Sequence, residues 1–274
     1  NQAGGVQLSQ GSEIIGALRT RQEILIWTDV GIVSMRFVGE PFIFSFTEVA
    51  EGQSLIAPNA AVSANNRVYF MDTGGFYVYS GSAEKLPCTV LDYVLSDLNL
   101  GQSFKIFAAV NNIANEVMWF YPSGTNTEID KYVLYNYLEN VWSIGTTDDG
   151  FTRTAWDEAS ILEYPIAASK NDSSNLNYVY NHEKGHGNDG SNFTAYIESS
   201  DFDLEPDGDK FTFISKLIPD IQFRDQQSTS DSVTFTILGR DYPLQDLTTL
   251  QTINVTPNST FENTRARSRQ AALK

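Results

Sequence analysis

A short phrase recurs four times along the chain: an apolar, aromatic-rich run, a tight polar turn carrying Asp or Gly, then a second aromatic run. The copies are Glu23–Val38, Arg67–Ser80, Glu116–Ile144 and Asn177–Ile197. β-Branched and aromatic side chains suit a pleated surface, and Asp-x-Gly or Pro-Ser-Gly suits a tight turn, so each copy predicts a β-hairpin. The aromatics Trp27, Tyr69, Trp119 and Tyr178 recur at roughly 40 to 60 residues, the spacing of successive four-stranded propeller blades. The expected fold class is therefore all-β: propeller-like repeats of antiparallel blades, with one short helix and a C-terminal β unit. Such a scaffold fixes architecture and leaves chemistry open.

The blade pattern organises the chain. Strands near Glu13–Arg19, Glu23–Thr28, Ile32–Val38 and Phe42–Val49 make a first unit. A second covers Ala60–Val90, a third Phe104–Gly145 and a fourth Arg153–Ser200. Between the second and third, Leu91, Val94, Leu95 and Leu98 fall at i, i+3, i+4 and i+7, which predicts an amphipathic helix over Leu91–Leu100. Blades are expected over 1–205. Residues 206–274 are expected to form a C-terminal antiparallel unit, either a last blade or a small sandwich. The chain opens without Met and stops inside a strand pattern at Leu273-Lys274, so a longer parent polypeptide is expected.

Hydrophobic residues make up 41% of the 274 residues and aromatics 12%, enough for a substantial core. No run approaches the roughly 20 apolar residues that cross a bilayer as a helix, so no membrane span is expected. A single cysteine, Cys88, excludes an internal disulfide framework and reads as a buried structural thiol. The formal charge of −16 argues against a protein that holds nucleic acid, because a phosphate-facing surface is basic. It remains compatible with a wall past which DNA slides, since acidic surfaces repel phosphate.

Candidate sites are few. His182-Glu183-Lys184-Gly185-His186 matches H-E-x-x-H, the zinc-protease signature, which works only where a helix stacks both histidines on one face. Gly185, Gly187 and Gly190 with Asn188 and Asp189 oppose a helix, so the match reads as a hairpin loop, with no metal and no cofactor expected. Asp201, Asp203, Glu205, Asp207 and Asp209 alternate, giving a carboxylate row that reads as a calcium ladder or a solvated acidic loop. Thr146–Arg153 nearly spells the Asp-box turn of sialidase propellers but ends in Arg153 where an aromatic belongs. Arg265, Arg267 and Arg269 at i, i+2 and i+4 predict a basic stripe on one face of a strand. The stripe is either a protected sheet edge or a docking surface, with the Asp201–Asp209 row as candidate acceptor. No nucleophile elbow, P-loop or dinucleotide fingerprint occurs, and no enzyme is expected.

In order along the chain, several segments resemble the tail-hub or nozzle proteins of short-tailed bacteriophages, which include the phage stabilisation proteins. They are Trp27-Thr28-Asp29-x-Gly31 with Val38-Gly39-x-Pro41, Leu86-Pro87-Cys88 with Asp97-Leu98-Asn99, and Asn115 through Ser123. Tyr132–Asn136, Trp142-Ser143, Arg153–Trp156, Asn181-His182-Glu183-x-Gly185, Pro219-Asp220 and Arg265-Ala266-Arg267-x-Arg269-Gln270 continue the order. The resemblance implies a non-enzymatic virion protein, assembled in the host cytoplasm, that forms a hexameric ring below portal and adaptor. It implies docking of fibre or needle proteins and passage of double-stranded DNA without specific binding. Two other readings stand beside it: a carbohydrate-binding or glycosidase-type propeller, and a metalloprotease resting on His182, Glu183 and His186.

Overall fold

The apolar runs Val68–Met71 and Val117–Tyr121 are continuous, where a half-exposed strand would alternate. The reason lies in a stack of antiparallel sheets seen in a computed structural model, which describes residues 7, 11–146, 153–158, 161–170, 177–185, 187–188, 191–192, 195–203, 210–223 and 232–274. The protein is all-β, with antiparallel meanders in a propeller-like arrangement. The first sheet is β1 (Ile14–Arg19), β2 (Ile24–Thr28), β3 (Gly31–Phe37) and β4 (Phe44–Glu51), paired in chain order. The second is β5 (Ala61–Ala64), β6 (Arg67–Asp72), β7 (Gly75–Tyr79) and β8 (Ala83–Lys85). The third is β9 (Phe107–Asn111), β10 (Glu116–Tyr121), β11 (Lys131–Asn136) and β12 (Val141–Thr146). A fourth has three strands among the described residues, β13 (Ala155–Asp157), β14 (Ile166–Lys170) and β15 (Asn177–Asn181).

β6 and β10 are buried on both faces. From β6, Val68 and Phe70 join Leu25, Trp27 and Ile32 of the first sheet. Tyr69 and Met71, on the opposite face, join Trp119, Tyr121 and Val133 of the third. From β10, Val117 and Trp119 face the second sheet, whereas Met118 and Phe120 pack with Ala109, Ile129 and Trp156. The core is thus a series of layers between sheets. Indole N–H groups staple these layers: Trp119 Nε1 donates to the Ala60 carbonyl at 3.1 Å, Trp142 Nε1 to Pro87 at 2.8 Å and Trp156 Nε1 to Val110 at 3.0 Å. Each bond runs to the preceding sheet and satisfies a polar atom that burial would otherwise penalise.

The first strands of successive sheets are neighbours: β1 lies beside β5, β5 beside β9, and β9 beside β13. Turn chemistry sets the hairpins. Asn65 and Asn66 both take positive φ, 48° and 59°, as the two-residue turn between β5 and β6 requires. The helix α1 (Leu91–Asp97) is shorter than the predicted Leu91–Leu100 and buries Val94 against the core. Leu98 instead bridges Ser123, and Asn99 accepts from the Gly101 amide to open a separate 3-10 helix over Leu100–Lys105. An Asn at that position competes with helix continuation by bonding its own backbone.

Asn177–Ile197 is not the hairpin that its pattern predicts. β15 pairs backwards with β14, and the residues after it leave the sheet. The polar run beyond Asn181 has no apolar alternation with which to hold a register. A short ribbon, β16 (Gly187–Asn188) with β17 (Ser191–Asn192), opens a second compact unit, His186–Lys274, separate from Asn1–Gly185. Its boundary precedes the expected one at 205/206, because Ser199 and Phe202 bond to Leu273 and Ala271 near the chain's end.

The second unit has two small sheets sharing one core. β18 (Thr212–Leu217) pairs with β21 (Glu262–Ser268), while β19 (Val233–Arg240) lies between β20 (Thr248–Val255) and β22 (Gln270–Leu273). Ile237, Ile253, Val255 and Ala266 fill the space between them, with Ile214 and Leu217 packed alongside. The C-terminal antiparallel unit, left open in sequence as a last blade or a small sandwich, consists of these two small sheets packed on one core.

Candidate functional site

Two surfaces carry the chemistry. One is a cavity of ≈ 540 Å³ in the first unit, lined by Leu18 of β1, Ala61 of β5, Phe107 of β9 and Ala155 of β13. The first strands of all four sheets therefore contribute to its wall. Trp27, Phe104 and Trp156 add aromatic surface, and Lys105 with Glu128 adds charge. Lys105 Nζ pairs with Glu128 Oε1 at 3.1 Å and also donates to the Thr127 carbonyl, so the cation is neutralised within the wall. Sequence reasoning missed this pair because only the folded register brings the 3-10 helix against the β10–β11 loop.

The other surface is the outer face of β18 and β21. Along β21, Thr264, Ala266 and Ser268 are buried while Arg265 and Arg267 are exposed, as alternation on a strand requires. Arg269 does not share their face: it occupies the bend where the chain leaves β21 for β22 and crosses between sheets. The third cation comes from the partner strand, where Lys216 is exposed beside Asn263. Arg267 sits over the Phe211 ring at 4.7 Å and Lys216 over Phe261 at 4.4 Å, each held by the ring's negative face. Phe213, 60% exposed, lies opposite Arg267 in the register. Phe211-x-Phe213 is visible in sequence as an alternating pair, but its meeting with Arg267 depends on the β18–β21 register, and Lys216 reaches the same face through a bulge between Ile214 and Lys216.

Two of the five carboxylates expected to accept this stripe have partners within the second unit. Asp201 forms an ion pair with Arg240, and Asp203 accepts from Gln270 Nε2 at 3.3 Å. Glu205, Asp207 and Asp209 lie outside the described residues, as do all of residues 147–152. Both aspartates thus tie their own segment to the sandwich.

The described part of the H-E-x-x-H segment, residues 182–185, is not helical. After β15, His182 donates its amide to the Pro165 carbonyl at 2.7 Å, and Glu183 takes a φ of 57° that a helix forbids. His182 Nε2 accepts from Arg153 Nε at 2.9 Å, and its ring lies 4.7 Å from that of Trp156. Arg153 is buried and stacks over Tyr180 at 4.8 Å, which explains the arginine where the Asp box has an aromatic. His186 lies outside the described residues. Among the described residues no group of three His, Cys, Asp or Glu side chains is placed to hold a metal.

Burial is the largest influence on Glu116 and Cys88. Desolvation, then the nearby Glu183 charge, raises the Glu116 carboxyl, and Asn111 only partly offsets this by hydrogen bonding. Cys88 is half-buried against the core, and desolvation pushes its thiol upward, away from the reactive thiolate. No family model matches the chain and no curated protein matches it.

Proposed function

We propose that the chain is a structural subunit of the tail of a short-tailed bacteriophage. In this reading it is a hub or nozzle part whose copies form a ring around the exiting genome. Portal and adaptor proteins join one end of that ring, and fibre or needle proteins the other. The reading starts from the ordered resemblance in sequence and asks for no catalytic residue and no cofactor. The observation that carries it furthest is the contrast between a cationic, aromatic face on the second unit and a net charge of −16. Copies with both kinds of surface can attract one another, while a mostly acidic conduit lets DNA slide. Electron microscopy of the full-length protein and of the particle that carries it tests the reading. Six-fold rings at the tail are expected; dispersed monomers with no particle association would refute it.

A second reading, a carbohydrate-binding propeller, is favoured by the cavity in the first unit with Phe104, Phe107 and Trp156 on its wall. Aromatic faces and a self-neutralised ion pair suit a neutral sugar. A glycan array decides it: this reading requires binding that Trp156→Ala weakens at least about tenfold.

A further inference from the structure

We propose that the outer face of β18–β21 is one half of a head-to-tail contact between copies of this chain, and that its acceptor is the β4 edge of the first sheet. The donor face carries Arg265, Arg267 and Lys216 beside exposed Phe213. No carboxylate among the described residues pairs with these three cations; two of them rest on phenylalanine rings. A cation held flat on a ring has already lost much of its rotamer freedom, so it costs less to fix against a partner's carboxylate.

The acceptor is defined by the opposite chemistry. β4 ends its sheet, so one side of its backbone has no strand partner within that sheet. Glu48 and Glu51 are exposed on it and pair with no cation among the described residues. Arg36 on the adjacent strand is already held by Glu23 at 2.8 Å. At the hairpin end, Phe37 and Phe42 are 72% and 76% exposed, and Phe44 packs edge-on to Phe37 at 6.0 Å. Each surface thus offers aromatic area with charge of one sign, and the signs are opposite.

Two alternatives fit less well. The cationic face cannot pair with its own image without bringing like charges together, so a two-fold dimer through it is disfavoured. The contact is therefore heterologous, which builds a ring if it closes and a filament if it does not. Single-stranded nucleic acid would need free ring faces for base stacking, but Phe211 and Phe261 each have a face covered by a cation. The chain's net negative charge also repels phosphate.

The contact deepens the ring reading and rests on it only for closure. Sedimentation of the intact chain at low and high salt tests it with three variants: Arg265→Glu with Arg267→Glu, Glu48→Arg with Glu51→Arg, and all four together. Each pair alone is expected to weaken self-association at least about tenfold, and the fourfold swap to restore it. Circular dichroism confirms folding, and Arg265→Gln with Arg267→Gln gives a milder loss without charge reversal. Association that is absent in the parent chain, unchanged in the paired variants or unrecovered in the swap overturns the proposal. So does oligothymidylate binding that depends on Arg265 and Arg267, which assigns the face to nucleic acid. Charge-dependent filaments would retire the ring and keep this contact; six-fold rings indifferent to every variant would do the reverse.

Discussion

Glu23 stands just before β2, yet it joins two sheets. Its carboxylate accepts from Ser34 and Arg36 of the first sheet and from the Tyr79 hydroxyl of the second, at 3.0 Å. Burial alone would raise its pKa, but hydrogen bonds from Arg36, Ser34 and Tyr79, with the Arg36 charge, outweigh that and hold it below the usual carboxylate range. A carboxyl lowered in the folded state contributes its stability above the unfolded pKa of about 4.3 and loses it as pH falls through the folded value. Glu23→Gln is therefore expected to cost about 1–3 kcal/mol at neutral pH, because Arg36 and Tyr79 lose a charged acceptor. Urea titrations at a series of pH values should show that gap constant down to about pH 5 and closing below about pH 4. A gap that persists undiminished at about pH 3 would mean that the ionised form is not what joins the sheets.

At the scale of elements, legibility follows how local each determinant is. The hairpins β2–β3 and β6–β7 are written in adjacent residues, an apolar run, Asp with Gly, and a second run, and the chain folds them where the pattern stands. Leu91, Val94 and Leu95 likewise specify α1 from their own spacing. The same rule explains the failures. β15 has a strand's composition, but its partner β14 lies upstream, so a pattern read forwards assigns it to the wrong hairpin. The arginine triplet reads as one stripe only if the strand runs through Arg269, and a crossing between two sheets is invisible in residues that alternate on both sides of it. Lys216, Phe211 and Phe261 join the basic face through pairing across the sheet and through a bulge, which one strand's sequence does not encode. The cavity was hidden for a related reason: each first strand supplies only a few small or apolar positions, and their convergence is a property of the stack.

For the whole molecule, the decisive fact is that buried apolar side chains among the described residues fall into separate clusters. In the first unit the layers between sheets share central strands, so β6 and β10 each belong to two layers and couple them. The second unit has its own core, built on Ile237, Ile253, Val255 and Ala266. Cooperativity follows shared cores, so each unit is expected to melt as its own transition. Val255, 1% exposed, and Val117, 0% exposed, are matched probes of the two. Truncating either to Ala removes two methyl groups from a packed site and costs about 2 kcal/mol. In a unit the size of the second, that lowers its transition by roughly 10 °C, and by less in the larger first unit. Calorimetry of the intact chain should show Val255→Ala moving one transition and Val117→Ala the other. If both variants displaced a single common transition, the two cores would fold as one, and a change on the β18–β21 face would carry into the blades.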